Sequence, residues 1–365
     1  MKGEIGNFVK VWLSVVASLC YSHMIGKSIK QGATRLLAIL PVIVLFLALP
    51  LNLTSIFLGG PTAFFVAWLA TFKLLLFAYG KGPLSSYPPL PLPHFISLAC
   101  FPIKIQNDPT QNCSKSPLNY AVKLLIYSTN LLVYQNRHSL HPKVFMFLFS
   151  VYTYIIFELI LALVAALVRV SLGVELEPQF NEPYLSTSLQ DFWGRRWNLM
   201  ASNILRPTVY DPVRAVSSRW IGTKWVALPA VITAFFVSGM MHELIFYYLG
   251  RKRPTWDLTC FFLLHGVCVS VEIAVKKAVR RKWRLPALVS GILAMGFVMV
   301  TGMWLFLPAL MRFDADVRGN RELVSLIEFV KNIGTTFGSG IGKVIEFLSL
   351  SLRLLQSTLG ALGMS

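Results

Sequence analysis

His242 is the residue best placed to do chemistry. It stands in Phe236-Val237-Ser238-Gly239-Met240-Met241-His242-Glu243-Leu244, well inside an apolar run. A His-Glu pair is expensive in hydrocarbon, so it is expected to face the protein interior or a wet cavity. An imidazole held there can serve as a general base toward a hydroxyl. Ser238 lies one turn earlier and can orient it from the same face. Gly239 leaves room for a neighbouring helix or a chain-like ligand. Glu243 points about 100° away on a helix and is the weaker orienting candidate. The structural alternative is a buried histidine satisfied by a neighbouring helix.

A second constellation lies upstream, in Leu189-Gln190-Asp191-Phe192-Trp193-Gly194-Arg195-Arg196-Trp197-Asn198. Ser188 followed by Asp191 resembles a capping box and predicts a helix start. At helical spacing Leu189, Trp193, Trp197 and Met200 form an apolar face, and Asp191, Arg195 and Asn198 a polar one. Such a helix would lie at the membrane interface with its tryptophans among the head groups. Arg195 and Arg196 are then candidates to attract an anionic substrate, and Asn198 to point into a polar cavity. The alternative is a surface or re-entrant helix whose basic face snorkels into phospholipid.

The elements that must hold these residues are transmembrane. Of 365 residues, 55% are hydrophobic and 14% charged, against about 25% charged in soluble domains. A soluble enzyme, a disordered chain and a disulfide scaffold are excluded. A bilayer needs about 20 apolar residues per helix, and the chain offers about eight such runs: 7–25, 36–57, 62–80, 119–135, 144–171, 225–249, 257–275 and 286–310. The fold class expected is an all-α polytopic bundle. No cleavable leader and no internal repeat is evident. The net charge of +18 is carried between the apolar runs, which points to topology and anionic head groups rather than nucleic acid. Basic residues concentrate in 26–35, 81–118, 172–224 and 276–285, which the positive-inside rule assigns to the cytoplasm. The Arg251–Arg253 cluster argues the other way.

Other ionisable residues carry less. His265 and Glu272 share a face, and a helix-packing hydrogen bond is the expectation for His265. Lys73 and Arg169 can snorkel, whereas Glu158 needs a partner, His265 or a lysine. His138 and His141 are too few for a metal site, and the five scattered cysteines form no ligand pair, so no metal is expected. Residues 81–93 read as a stiff Pro-rich link. In the tail, Val344, Ile345, Leu348, Leu352 and Leu355 mark one face of an amphipathic helix. The sequon at Asn52 is expected to lie within a span and the one at Asn112 in a cytoplasmic loop. There is no G-x-S-x-G, P-loop, Rossmann or H-E-x-x-H pattern.

Taken together the motifs resemble the membrane-bound O-acyltransferase superfamily, and within it the plant wax synthase family. The likeness runs from Phe8-Val9-Lys10-Val11-Trp12-Leu13 through Leu58-Gly59-Gly60-Pro61-Thr62, Phe72-Lys73-Leu74-Leu75-Leu76-Phe77 and Pro178-Gln179-Phe180-Asn181-Glu182-Pro183-Tyr184 to the Asn198 and His242 segments. It implies a catalytic domain over 1–312 with an internal tunnel, a tail over 313–365, and a multi-pass protein of the endoplasmic reticulum. Acyl-CoA and a lipid alcohol acceptor are the implied partners within membrane lipid, and no cofactor is implied because acyl-CoA is a co-substrate. The family's intramembrane His maps onto His242 and its polar Asn onto Asn198. Ser238, Glu243, Arg195, Arg196, Trp193 and Trp197 are the binding or orienting residues expected around them. The implied reaction joins acyl-CoA and a long-chain alcohol into a wax ester without a covalent enzyme intermediate. Sterol and diacylglycerol are the alternative acceptors. A lipid transporter is the rival class, and it expects a repeat.

Overall fold

A computed structural model describes residues 2–86, 88–103, 140–172, 178–279 and 285–314, with isolated positions within 122–129 and 318–325. These residues form helices and no strand. The chain divides into two compact units. One comprises Lys2–Ile105 and Val164–Phe313, the other Gln106–Leu163 and Asp314–Ser365.

Seven described helices are long and apolar enough to cross a membrane. They are α1 (Lys2–Ser28), α2 (Ala33–Ala48, extended by a 3-10 turn to Asn52), α3 (Ile56–Ala78), the helix Pro142–Leu172, and the helices Ala227–Gly250, Asp257–Ala278 and Ala287–Met311. The expected run at 119–135 falls mostly outside the described residues, as do Asn112 and the amphipathic face of the tail. The span of α2 ends at Asn52, whose side chain is exposed and bonds back to Leu49 O. The sequon therefore sits at the end of the span and not inside it.

In the larger unit, α1, α2 and α3 close on a common core. Val11, Val15 and Leu19 meet Ile39, Val42, Ile43 and Phe46, and both sets pack on Val66, Ala70, Leu74 and Phe77. The spacing of each set is that of one helical face. The Pro-rich stretch is not simply an extended link. It gives way to a short helix, α4 (Leu92–Cys100), whose Phe95, Leu98, Ala99 and Cys100 are buried in that core. A helix end buried among spans leaves carbonyls without partners. Lys73 supplies them: its Nζ donates to Leu98 O at 2.5 Å and Phe101 O at 2.8 Å, and only 6% of the residue is exposed. Lys73 therefore does not snorkel. It caps the C-terminal end of α4, where a cation also opposes the helix dipole.

The second unit contributes the start of α5 (Pro142–Leu172), where Glu158 accepts from Lys123 at 2.6 Å with both residues buried. Of the partners expected for Glu158, the structure shows the lysine. In the larger unit the remaining helices are α6 (Leu199–Leu205), α7 (Asp211–Ser217), α8 (Ala227–Gly250), α9 (Asp257–Ala278) and α10 (Ala287–Met311).

Candidate active site

The hairpin of α8 and α9 carries His242. Small residues set its close crossing: a Cβ on Gly239 would stand 2.9 Å from Thr259 Cα, and one on Gly266 would stand 2.8 Å from Phe235 Cβ. The expectation that Gly239 admits another helix is met by α9. Glu243 is buried, and its Oε1 accepts the backbone N–H of Leu258 at 3.2 Å and of Thr259 at 3.3 Å. Those are first-turn donors that α9 cannot satisfy itself. Glu243 thus anchors the start of α9 and does not orient His242.

His242 Nδ1 lies 2.7 Å from the carbonyl oxygen of Ser238, one turn earlier. A carbonyl only accepts, so Nδ1 carries the proton and donates it. Ser238 orients the imidazole through its backbone rather than its hydroxyl. Nε2 is left as the acceptor, and it has no protein partner among the described residues. The ring is half-buried in an aromatic box. Phe262 of α9 stacks on it at 4.3 Å and 30°, Trp68 of α3 meets it edge-on at 5.2 Å and 80°, and Phe306 of α10 lies at 6.1 Å. Trp68 and Phe306 come from stretches wound as π-helix, Ala63–Ala70 and Gly302–Phe306, a feature frequent at functional sites. The indole Nε1 of Trp68 is buried without a hydrogen-bond partner among the described residues. No motif pointed to Trp68 or Phe306; each is one apolar residue in a long apolar run.

The upstream motif does not form the continuous interfacial helix that its spacing predicts. Ser188 Oγ caps the turn by accepting from Asp191 N at 3.1 Å, as expected. The chain then winds as a π turn over Phe192–Arg196, extends at Trp197, and reverses at Asn198, whose φ of 42° is left-handed. Asn tolerates that conformation better than most residues. Asn198 Oδ1 accepts the N–H of Ala201 at 3.1 Å and so starts α6. Since the N–H can only donate, the amide orientation is fixed and its NH2 is free to donate elsewhere.

Both tryptophans pack against rings of the protein itself. Trp197 stacks with Phe192 at 5.4 Å and lies 4.9 Å from Phe180. Trp193 sits between α8 and α9, against Phe235 and Phe262. Its indole N–H donates to His265 Nδ1 at 3.1 Å, and His265 Nε2 lies 2.9 Å from Thr301 Oγ1. Both nitrogens of His265 are occupied, whereas one of His242 is open.

The two arginines of the motif differ. Arg196 Nε pairs with Asp191 Oδ2 at 2.8 Å, and its Nη1 reaches the carbonyls of Asn181 and Glu182 at 3.3 Å. Together with the bonds Asn181 N to Arg196 O and Leu199 N to Gln179 O, this joins the N-E-P-Y segment to the Asn198 turn. Its guanidinium is spent on that joint. Arg195 is exposed and makes no hydrogen bond or ion pair among the described residues, so of the two it is the one open to an anion.

Trp68 links the two constellations. It belongs to one apolar cluster with Met200, Ala201, Ile204 and Leu205 of α6, against which Val237, Met241 and Ile245 of α8 also pack. His242 lies beside that face of α8. The His motif and the Asn motif, far apart in sequence, are thus carried on helices that pack on each other. Among the described residues no group of three His, Cys, Asp or Glu could hold a metal.

Residues 176–264, which contain both motifs, match the model of the membrane bound O-acyl transferase family. Relatives extend the likeness over nearly the whole chain. A long-chain-alcohol O-fatty-acyltransferase of Simmondsia chinensis is 49% identical over 86% of this chain and 92% of its own length. An acyl-CoA–sterol O-acyltransferase of Arabidopsis thaliana is 47% identical over 90% and 97%. A probable long-chain-alcohol O-fatty-acyltransferase of the same plant is 46% identical over 91% and 97%. With identity of that order over that length, and with both motifs in place, the chain belongs to the membrane-bound O-acyltransferase family, in its plant wax synthase branch.

Proposed function

We propose that this acyltransferase transfers an acyl group from acyl-CoA to the hydroxyl of a long-chain alcohol, giving a wax ester and free CoA, with His242 as general base and Asn198 as the donor to the oxyanion. The observation that carries the proposal is the asymmetry of His242: Nδ1–H is held by Ser238 O, which leaves Nε2 open. The alcohol's hydroxyl gives its proton to Nε2 while its oxygen attacks the thioester carbonyl. The C–S bond then breaks, and the thiolate takes the proton back from Nε2. A thioester is already activated, so the transfer needs no enzyme-bound intermediate and no cofactor.

Such a base contributes about 10²–10⁴-fold. The free NH2 of Asn198 supports its role at the carbonyl oxygen, where charge develops. Arg195 supplies an exposed cation for the phosphates of CoA. The aromatic box of Trp68, Phe262 and Phe306 excludes water, which would otherwise compete for the thioester. The enzyme acts in the endoplasmic reticulum, with the loops around the Asn motif on the cytoplasmic side where acyl-CoA is dissolved.

A sterol is the second reading of the acceptor, favoured by the sterol acyltransferase among the relatives. The test is expression in yeast that lacks its own neutral-lipid synthesis. Microsomes are supplied with labelled acyl-CoA and either long-chain alcohols or sterols. Wax ester made in preference to steryl ester supports the first reading, and the reverse ratio supports the second. No ester from either acceptor overturns both.

A further inference from the structure

We propose that His265 is a positioning residue for this site, acting through Trp193 and without touching substrate. It rests on the reading of His242 and Asn198 above.

The hydrogen-bond directions along this chain of groups are determined by the groups themselves. An indole N–H only donates, so the 3.1 Å contact from Trp193 Nε1 makes His265 Nδ1 an acceptor. His265 is therefore the neutral tautomer with its proton on Nε2. That proton goes to Thr301 Oγ1 at 2.9 Å, and the threonine hydroxyl in turn donates to Phe297 O at 2.7 Å. The run of donors ends on a backbone carbonyl of α10. His265 is 0% exposed, and the rings around it are Phe261, Trp193 and Phe297.

Trp193 is where this run acts on the site. It lies five residues before Asn198, in the π turn, and its own carbonyl accepts from Ser202 of α6 at 3.0 Å. Its ring also touches Phe262 at 5.6 Å, and Phe262 is the ring stacked on His242. One indole therefore fixes both the turn that presents Asn198 and the platform beneath His242. Packing alone would let a flat ring slide between α8 and α9. The bond to His265 sets its depth and rotation.

The experiment uses the full chain in microsomes and compares His265→Leu, His265→Gln, Trp193→Phe and the double variant Trp193→Phe/His265→Leu, with His242→Ala alongside. A Gln amide can accept from Trp193 and donate to Thr301. His265→Leu is expected to lower kcat on the order of 10²-fold, the scale of loss from a misplacement of about 1 Å, with KM for acyl-CoA within about twofold of wild type. Gln should restore most of that kcat. Trp193→Phe should match His265→Leu, and the double variant should lose no more than either. The proposal is overturned if His265→Leu keeps its kcat, if Gln rescues nothing, or if the losses of the two single variants multiply. Losses that only follow the amount of folded protein, measured by detergent-stable fluorescence of a tagged chain, also overturn it. An active His242→Ala would instead overturn the underlying reading.

Discussion

The two histidines of the α8–α9 hairpin show how hydrogen bonding assigns roles that residue type cannot. Both lie in apolar spans between aromatic rings, His265 fully buried and His242 half-buried. His265 has both nitrogens occupied, so it is a structural node. His242 has one nitrogen held by Ser238 O and one open. The same logic divides Asn198, whose oxygen caps α6 while its NH2 stays available. Asn198→Asp keeps the capping oxygen and removes both amide donors. It is expected to accumulate like the wild type and to lose kcat by about 10²–10³-fold, the cost of one oxyanion donor; ester formation by labelled acyl-CoA measures it. The paired arginines separate in the same way. Arg195→Ala should raise KM for acyl-CoA and leave the thermal midpoint in detergent unchanged. Arg196→Ala should lower that midpoint, because it releases Asp191 and two carbonyls of the N-E-P-Y segment. The opposite pattern would assign CoA to Arg196.

At the scale of elements, the site depends on short pieces held inside the bundle. Lys73 is one such device. Lys73→Met removes the charged donor to the carbonyls of Leu98 and Phe101 at the end of α4. Each carbonyl so stranded costs about 1–3 kcal/mol, so the variant should unfold at a markedly lower temperature in detergent while Lys73→Arg loses less. An unchanged midpoint in Lys73→Met would mean that α4 is held by its apolar face alone. Spans were legible in the sequence because apolar length and hydropathy determine them directly. The helix break at Trp197–Asn198 was not. Its residues keep a 3.6-residue pattern, and no Gly or Pro stands at the reversal itself; the left-handed Asn198 is flanked by backbone bonds that join Arg196 O and Leu199 N to a segment distant in sequence, at Asn181 and Gln179. His242 and Asn198 stood out in the sequence as candidates, since polar groups are conspicuous in a chain this apolar, and the structure carries them on helices that pack on each other. Trp68 and Phe306 did not, because an aromatic residue in a span has no signature of its own. The role of Glu243 followed only from where α9 begins.

At the scale of the molecule, the positive-inside rule gives the bundle an expected direction, which topology reporters can test. Lys276 and Lys277 in the last turn of α9 and Arg251–Arg253 before its start are separated by a helix long and apolar enough to cross a membrane. A reporter inserted after Lys282 should read cytoplasmic and one inserted after Arg253 lumenal. The reverse would place acyl-CoA on the wrong side of the Asn198 segment and would require another route for it to His242. The short connection of the α8–α9 hairpin and the packing of both motif-bearing helices on α3 hold the two motifs together.

In the proposed reaction, ester formation depends on the open Nε2 of His242. The most direct measurement compares wild type with His242→Ala in microsomes at matched protein abundance, using labelled acyl-CoA and a long-chain alcohol. Wax ester is expected from the wild type, and a rate lower by about 10²–10⁴-fold in the variant. Ester formed by His242→Ala at the wild-type rate would contradict it.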